Sequence, residues 1–136
     1  VVNDGYINMT GANSMGIYTA GANSTSITNN GAVTIGASSD PDNPSMGIYS
    51  SSPSVINNNG SIASGENSVG IYSNNGTVNQ NGALNVGTNG IGLYLSGGAA
   101  NITSNASFSL GTNAAGVYAE NAGISNVFNS LKSESE

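Results

Sequence analysis

Charged residues are scarce in this sequence. They make up 6% of its 136 residues, the net charge at pH 7 is −6, and histidine is absent. Lys132 is the one basic residue. A protein that binds nucleic acid must neutralise phosphates with lysine and arginine, so this composition excludes nucleic acid as a partner. The acidic residues are also too few to draw in a basic partner from a distance.

The same scarcity argues against an enzyme. Many sugar-cleaving enzymes use β-helical folds, but they need paired carboxylates, or a carboxylate with a base, on one face. Here the carboxylates before the C-terminal tail fall at different positions of the repeat described below. They are Asp4, Asp40, Asp42, Glu66 and Glu120. We therefore predict no enzymatic activity and no cofactor.

Cysteine is also absent, which excludes disulfides and thiolate sites. No apolar run reaches the roughly 18 residues of a membrane-spanning helix, and we expect no membrane contact by this segment. Residues 1–4 do not resemble the start of a signal peptide. Because the repeat begins and ends in mid-pattern, we expect a piece of a longer protein whose export signal and anchor lie elsewhere.

The sequence does contain a repeat. Glycine, an aliphatic residue and tyrosine occur in this order five times, and the tyrosines are 31, 23, 22 and 24 residues apart. This spacing is too short for a domain and too long for one strand. It fits one turn of a solenoid, whose units close a core only by stacking on one another. The tyrosines are Tyr18, Tyr49, Tyr72, Tyr94 and Tyr118.

Each repeat holds three short segments in which apolar residues alternate with polar ones, a pattern that predicts strands with one buried face. We predict an all-β fold over residues 1–123, a parallel β-helix of about five coils of 22–24 residues with three strands each. The first strand is predicted to bury Val1, Ile27, Ile56, Val78 and Ile102. The second is predicted to bury Ile7, Val33, Ile62, Leu84 and Phe108, with Met9, Ile35, Ser64, Val86 and Leu110.

The third strand is predicted to bury two further columns of equivalent residues. They are Met15, Met46, Val69, Ile91 and Ala115, and Ile17, Ile48, Ile71, Leu93 and Val117. The glycine and the tyrosine of this strand are two residues apart. Strand geometry therefore predicts that both point outward.

Asparagine or aspartate stands at the corner between the first and second strands of each coil. Such residues tolerate left-handed backbone geometry, which we expect here, and their stacked side chains can form amide ladders. The predicted corner column is Asp4, Asn30, Asn59, Asn81 and Asn105.

The second coil has an insertion between its second and third strands. Gly36 and Gly47 are eleven residues apart, whereas the matching glycines of the other coils are five apart. We predict a loop at about residues 38–43. Such loops often carry binding, although a neutral insertion is also tolerated. Asp40 and Asp42 alone fall short of the roughly six to eight oxygens that calcium takes, so we predict no metal site.

The tyrosines have two interpretations. They can stabilise the sheet through stacking in every coil, or they can form an exposed ladder that binds a sugar or a protein. Repetition favours the structural role, since a binding site is usually placed once. The predicted ligand-binding residues are those where the loop meets the ladder, namely Asp40, Asp42, Asn43, Tyr18 and Tyr49.

Residues 124–136 depart from the repeat. Ile124, Val127 and Phe128 are placed to begin a sixth coil, but the glycines that should follow are missing and the tail is polar. We predict a partial coil, a short helix or a cap, with a poorly ordered end from about residue 130.

The runs GENSVGIYSNNGTV (65–78) and NGALNVGTNGIGLY (81–94) resemble the passenger repeats of large fusobacterial autotransporter adhesins of the type V secretion class. The resemblance extends to about residue 123. It implies a right-handed β-helical stalk, exported through an outer-membrane barrel and displayed on the cell surface, that mediates adherence. The implied partner is a host-cell or bacterial surface receptor, either protein or glycan, and we expect a monomer.

Two other interpretations stay open. The head of a trimeric autotransporter adhesin also uses short Asn-Ser-Gly repeats, but its coils are shorter and its core depends on assembly. A purely structural surface or matrix β-solenoid, or an ice-binding one, would need a regular outer array of threonine or a similar residue. Threonine is scattered in this chain.

Overall fold

The computed structural model describes residues 1–125 and shows them as an all-β solenoid. The predicted parallel β-helix is confirmed, because every strand pairs in parallel with its counterpart one coil away. Each coil contributes one strand to each of three sheets. Coil 1 holds the first three strands, coil 5 holds the thirteenth to fifteenth, and the sixteenth begins coil 6.

The strand bounds follow the three sheets. The first sheet contains β1 (Val2–Asn3), β4 (Ser26–Asn29), β7 (Val55–Asn58), β10 (Thr77–Gln80), β13 (Ala99–Ile102) and β16 (Gly123–Ser125). The second sheet contains β2 (Tyr6–Met9), β5 (Ala32–Ile35), β8 (Ser61–Ser64), β11 (Ala83–Val86) and β14 (Ser107–Leu110). The third sheet contains β3 (Met15–Thr19), β6 (Met46–Ser50), β9 (Val69–Asn74), β12 (Ile91–Ser96) and β15 (Ala115–Glu120).

Aliphatic side chains stack along the axis and form the core. In the first sheet Ile27, Ile56 and Val78 are level with one another and fully buried. The second-sheet column that runs from Ile7 to Phe108 is in the predicted register. Burial of each such side chain stabilises the fold by about 1.5–3 kcal/mol, so hydrophobic stacking holds the coils together in a chain with few charges.

The predicted first-sheet column is wrong at both ends. Val1, predicted to be buried, is 59% exposed in coil 1, where no coil covers it. Ala100 is level with Val78, and Ile102 is level with Gln80. Coil 5 has two more residues than coil 4 between the first and second sheets, which places Ala100 rather than Ile102 in the column. Ile102 is still fully buried, because a shift of two residues keeps a side chain on the same face of a strand.

The glycine of the third strand points inward, contrary to the prediction. A Cβ built on Gly47 would lie 2.6 Å from the carbonyl oxygen of Gly70 and 2.8 Å from Cγ2 of the core residue Ile62. The next residue, Ile48, is also fully buried, so the alternation of faces is interrupted at this point. The residue before each glycine therefore faces outward, contrary to the buried column predicted from Met15 to Ala115. Met15 is 38% exposed, whereas Val69 is only 5% exposed and lies beside the insertion loop.

The corner between the first and second sheets also differs from the prediction. The left-handed asparagines lie at other corners: Asn13, Asn67, Asn89 and Asn113 precede the third sheet, and Asn75 and Asn121 follow it. The predicted amide ladder does exist for four members, since Asn30 donates to Asp4 (2.8 Å), Asn59 to Asn30 (2.9 Å) and Asn81 to Asn59 (2.8 Å). The Asn105 side chain, in the longer coil 5, makes no hydrogen bond to this ladder.

A second amide ladder lies inside the column and was not predicted. Asn3 donates to Asn29 (2.8 Å), Asn29 to Asn58 (2.8 Å) and Asn58 to Gln80 (3.0 Å). Asn29, Asn58 and Gln80 are fully buried. Gln80 Nε2 donates in turn to the carbonyl of Gly82 at 2.9 Å. Each buried amide is therefore satisfied by the next coil or by the adjacent corner.

The repeat continues to the end of the described residues. In β16, Ile124 is level with Ala100, as the start of a sixth coil requires. Val127, Phe128 and the tail predicted to be poorly ordered lie outside the described residues. At the other end, residues 20–25 form an exposed connection between the third and first sheets that is longer than its counterparts in later coils.

Candidate functional site

The insertion loop, residues 37–44, connects β5 to β6 and is organised around a buried serine. Ser38 is 2% exposed, and its Oγ lies 2.7 Å from Asn13 Oδ1 and 2.9 Å from the carbonyl oxygens of both Asp40 and Asn43. The carbonyl oxygen of Ser38 accepts a 3.0 Å hydrogen bond from Asn67 in coil 3. The loop is therefore tied both to coil 1 and to coil 3.

Within the loop, Asp40 and Asn43 hold a turn. Asp40 Oδ1 accepts a 3.0 Å hydrogen bond from the backbone N–H of Asp42, and the N–H of Asn43 donates to the carbonyl of Asp40 at 2.9 Å. This is the turn that an aspartate side chain makes by bonding to backbone two residues on. Asp40 thus has a structural contact, whereas the Asp42 side chain is exposed at the tip of the turn.

The five tyrosines of the repeat form a continuous ladder on the third sheet. Tyr18, Tyr49 and Tyr72 stack with ring centroids 5.1 Å apart and interplanar angles of 5° and 9°. The ladder then changes, because the planes of Tyr72 and Tyr94 are tilted by 39° and those of Tyr94 and Tyr118 by 40°. The tyrosine ladder therefore has a stacked half and a tilted half.

A groove of about 360 Å³ lies where the insertion loop meets the tilted half of the ladder. The loop lines it with Pro41, Asp42 and Pro44, and the ladder lines it with Tyr72 and Tyr94. The loop thus extends from coil 2 along the outside of coils 3 and 4. The volume is at the small end of ligand pockets in proteins.

Three outward residues of the third sheet, Met46, Val69 and Ile91, give the groove an aliphatic strip. They face outward because the glycine that follows each of them points inward. The polar lining comes from the corners of coils 3 and 4 and consists of Asn67, Ser68 and Asn89.

Asp42 is the one charged residue that lines the groove. Lys132 is the only lysine or arginine of the chain and lies outside residues 1–125, so no basic side chain balances this carboxylate in the described part. Within the same residues, no group of three or more His, Cys, Asp or Glu is placed to hold a metal ion.

Tyr94 has an acidic neighbour in coil 5. Its hydroxyl lies 3.5 Å from Oε1 of Glu120 in coil 5. Burial and then the negative charge of Glu120 raise the pKa of Tyr94 above its ordinary value. The Tyr94 hydroxyl is therefore neutral at physiological pH.

Of the five predicted ligand-binding residues, the structure places Asp42 in the groove. Asp40 and Asn43 lie in the turn that supports it, and Tyr18 and Tyr49 lie in the stacked half of the ladder. Sequence reasoning missed Tyr72, Tyr94 and the aliphatic strip. We expected the loop to lie beside the coils that flank it in sequence. We also assumed that residues of the third strand alternate strictly through the glycine, which predicted that Met46, Val69 and Ile91 point inward.

Comparisons with protein-family models, with curated proteins and with solved structures found no match to this chain. Residues 1–125 include no helix with the length and hydropathy needed to span a bilayer.

Proposed function

We propose that this chain is part of the passenger domain of a bacterial adhesin displayed on the cell surface. Its coils act as a stalk, and the groove contacts a receptor on a host cell or on another bacterium. The resemblance of the repeats to autotransporter passengers supports the surface location. The groove carries the binding role, because the insertion loop builds it and the regular repeat alone does not.

The core supports a monomeric stalk. Ile48, Ile71 and Leu93 are fully buried within a single chain, so closing the core does not require a second copy. Light scattering at low concentration separates this proposal from a trimeric adhesin head. We expect the mass of one chain, and the mass of three chains would favour the trimer.

We further propose that the chain has no catalytic role. Asp4, Glu66 and Glu120 belong to coils 1, 3 and 5, which separates neighbouring members by about 10 Å along the axis at roughly 4.8 Å per coil. Paired carboxylates of retaining glycosidases are about 5 Å apart, and those of inverting enzymes reach about 9.5 Å. Asp40, for its part, uses a carboxylate oxygen to hold the loop.

The binding role is tested by exchanging the insertion loop. Residues 37–44 are replaced by Glu-Asn, the sequence that occupies the same corner in coil 3 at residues 66–67. Beads coated with the original chain or with this variant are then incubated with cultured epithelial cells and with other bacteria. We expect the original chain to adhere and the variant to lose most of its adherence.

A second loop exchange provides the matched control. Residues 20–25, an exposed connection in coil 1, are replaced by Asn-Asn-Gly from residues 74–76 of coil 3. This change shortens a loop away from the groove and should leave adherence intact. Equal adherence by all three proteins would contradict the binding role of the groove, and no adherence by any of them would favour a purely structural solenoid. Circular dichroism confirms that each variant retains its sheet content.

A further inference from the structure

The stacked half of the tyrosine ladder is poorly suited to sugars. A sugar ring packs on the face of an aromatic ring, but Tyr49 has Tyr18 on one face and Tyr72 on the other, each at 5.1 Å. Tyr49 therefore presents mainly its edge and hydroxyl, whereas Tyr18 ends the ladder and is 59% exposed. The ladder tilts between Tyr72 and Tyr94, and both of these tyrosines line the groove.

The aliphatic strip favours an apolar anchor. Met46, Val69 and Ile91 line the groove together with Pro41 and Pro44, and these side chains offer almost no hydrogen bonds to a sugar. A volume of about 360 Å³ accommodates one or two large apolar side chains. Removing such side chains from water provides about 25 cal/mol per Å² of apolar surface.

Charge limits what can flank the anchor. Asp42 lines the groove, and Glu66 lies beside Asn67 at the adjoining corner. No lysine or arginine occurs in residues 1–125. A flanking acidic residue would be repelled at short range, whereas a flanking lysine or arginine would pair with Asp42.

The loop is held in place before any partner binds. Ser38, the turn at Asp40 and the hydrogen bond from Asn67 fix its backbone, and Pro41 and Pro44 restrict it further. A groove that is already formed loses little conformational entropy on binding. The total entropy cost is then mainly that of ordering the partner, which makes a flexible segment a feasible ligand.

From these features we propose that the groove binds an extended segment of a partner protein that carries a leucine, isoleucine or phenylalanine between basic residues. The inference rests on the proposed function and narrows it, because it assigns the receptor contact to a polypeptide and not to a glycan. The apolar anchor occupies the space between the aliphatic strip and Tyr94, and a basic neighbour pairs with Asp42.

Fluorescence anisotropy with synthetic peptides tests the partner class. The probe is a labelled six-residue peptide in which lysines alternate with leucine and phenylalanine. One control peptide has glutamate in place of lysine, and the other has alanine in place of the apolar residues. We expect the full chain to bind the probe and neither control. Equal binding of all three peptides, or no binding of the probe, would overturn the inference.

Matched variants locate the contact on the protein. Asp42→Asn keeps the loop geometry, since the turn uses the Asp40 carboxylate, and should raise the Kd of the probe about two- to fivefold. Asp4→Asn removes the same charge from coil 1 and should leave the Kd unchanged. Equal effects of the two substitutions would show that only net charge matters and would remove Asp42 from the site.

The bead assay distinguishes failure of this inference from failure of the proposed function. If the loop exchange abolishes adherence but the chain does not bind the probe, the result supports the proposed adhesin and overturns the inference that the groove binds a peptide. If periodate oxidation of the target cells abolishes adherence and trypsin treatment does not, the groove binds a glycan, and this result would also overturn the inference. Adherence that trypsin abolishes and periodate spares supports the inference.

Discussion

Asn58 donates a 3.0 Å hydrogen bond to Gln80 inside the column, where both side chains are fully buried. The ladder that contains this bond ends at Gln80, because the next residue in register is Ile102. Gln80 is therefore the last member that can accept from the ladder, and its own amide is satisfied by the Gly82 carbonyl.

Replacing Gln80 should be costly. Gln80→Leu leaves the Asn58 amide buried without an acceptor, which should lower the free energy of unfolding by about 1–3 kcal/mol. Urea unfolding measures this loss. Asn59→Leu is the control, because Asn59 belongs to the exposed ladder, where water replaces the lost partner, and it should cost less than about 0.5 kcal/mol. Equal losses would contradict a special role of the internal ladder.

The inward glycine of the third strand gives a second prediction. Gly47→Ala forces a methyl group against the Gly70 carbonyl and the Ile62 side chain, and should lower the free energy of unfolding by about 1–3 kcal/mol. Gly11→Ala, where an added Cβ has no neighbour within 4 Å, is the matched control and should change stability little. If Gly47→Ala proved neutral in urea unfolding, this glycine would not face the core.

The two halves of the tyrosine ladder should respond differently to mutation. Tyr49→Leu removes a ring stacked on both sides and should destabilise the chain by about 0.5–1.5 kcal/mol, with adherence unchanged. Tyr94→Leu alters the groove and should reduce adherence, with a loss of stability similar to that of Tyr49→Leu because Tyr94 also packs between two rings. Urea unfolding and the bead assay, applied to both variants, check this pair. Loss of adherence in Tyr49→Leu at the same level would indicate that the whole ladder binds.

Alkaline pH should destabilise the region around Tyr94. Burial and the charge of Glu120 raise the pKa of this tyrosine above 10.0 in the folded chain. A raised pKa stabilises the fold fully below the unfolded pKa of about 10, and this contribution is lost as the pH rises through the folded pKa. The urea midpoint should therefore fall at alkaline pH.

Glu120→Gln tests the cause of that shift. It should move part of the phenolate absorbance transition of the folded chain to lower pH, because the neighbouring charge is gone. Glu66→Gln removes a charge from a corner of coil 3 and should leave the transition where it is. An unchanged transition in Glu120→Gln would show that Glu120 does not influence Tyr94.

Much of the fold could be predicted because stacking repeats the same chemistry in every coil. The columns through Ile27 and Val33 required only the period of the repeat and the alternation of apolar residues. Ile102 could not be placed, because inserting two residues in a coil changes the register without changing which face is buried. The inward orientation of Gly47 was also not predicted, because the alternation of apolar and polar residues does not identify a position where two backbones approach closely.

The candidate site was less accessible to sequence reasoning. The insertion was visible as an interval between glycines, but the side toward which it folds depends on contacts far apart in sequence. Asn67 bonds the carbonyl oxygen of Ser38 across 29 residues and draws the loop toward coil 3. Tyr72 and Tyr94 became part of the site for that reason, and nothing in the repeat distinguishes them from Tyr18.

Adherence of beads that carry Ile91→Asn, compared with beads that carry Val55→Asn, tests the central claim most directly. Ile91 belongs to the aliphatic strip of the groove, and Val55 is an exposed aliphatic residue of the first sheet, 42% exposed. The account predicts that Ile91→Asn lowers adherence about tenfold while Val55→Asn leaves it unchanged. Equal adherence by two variants that unfold at the same urea concentration as the original chain would contradict the account.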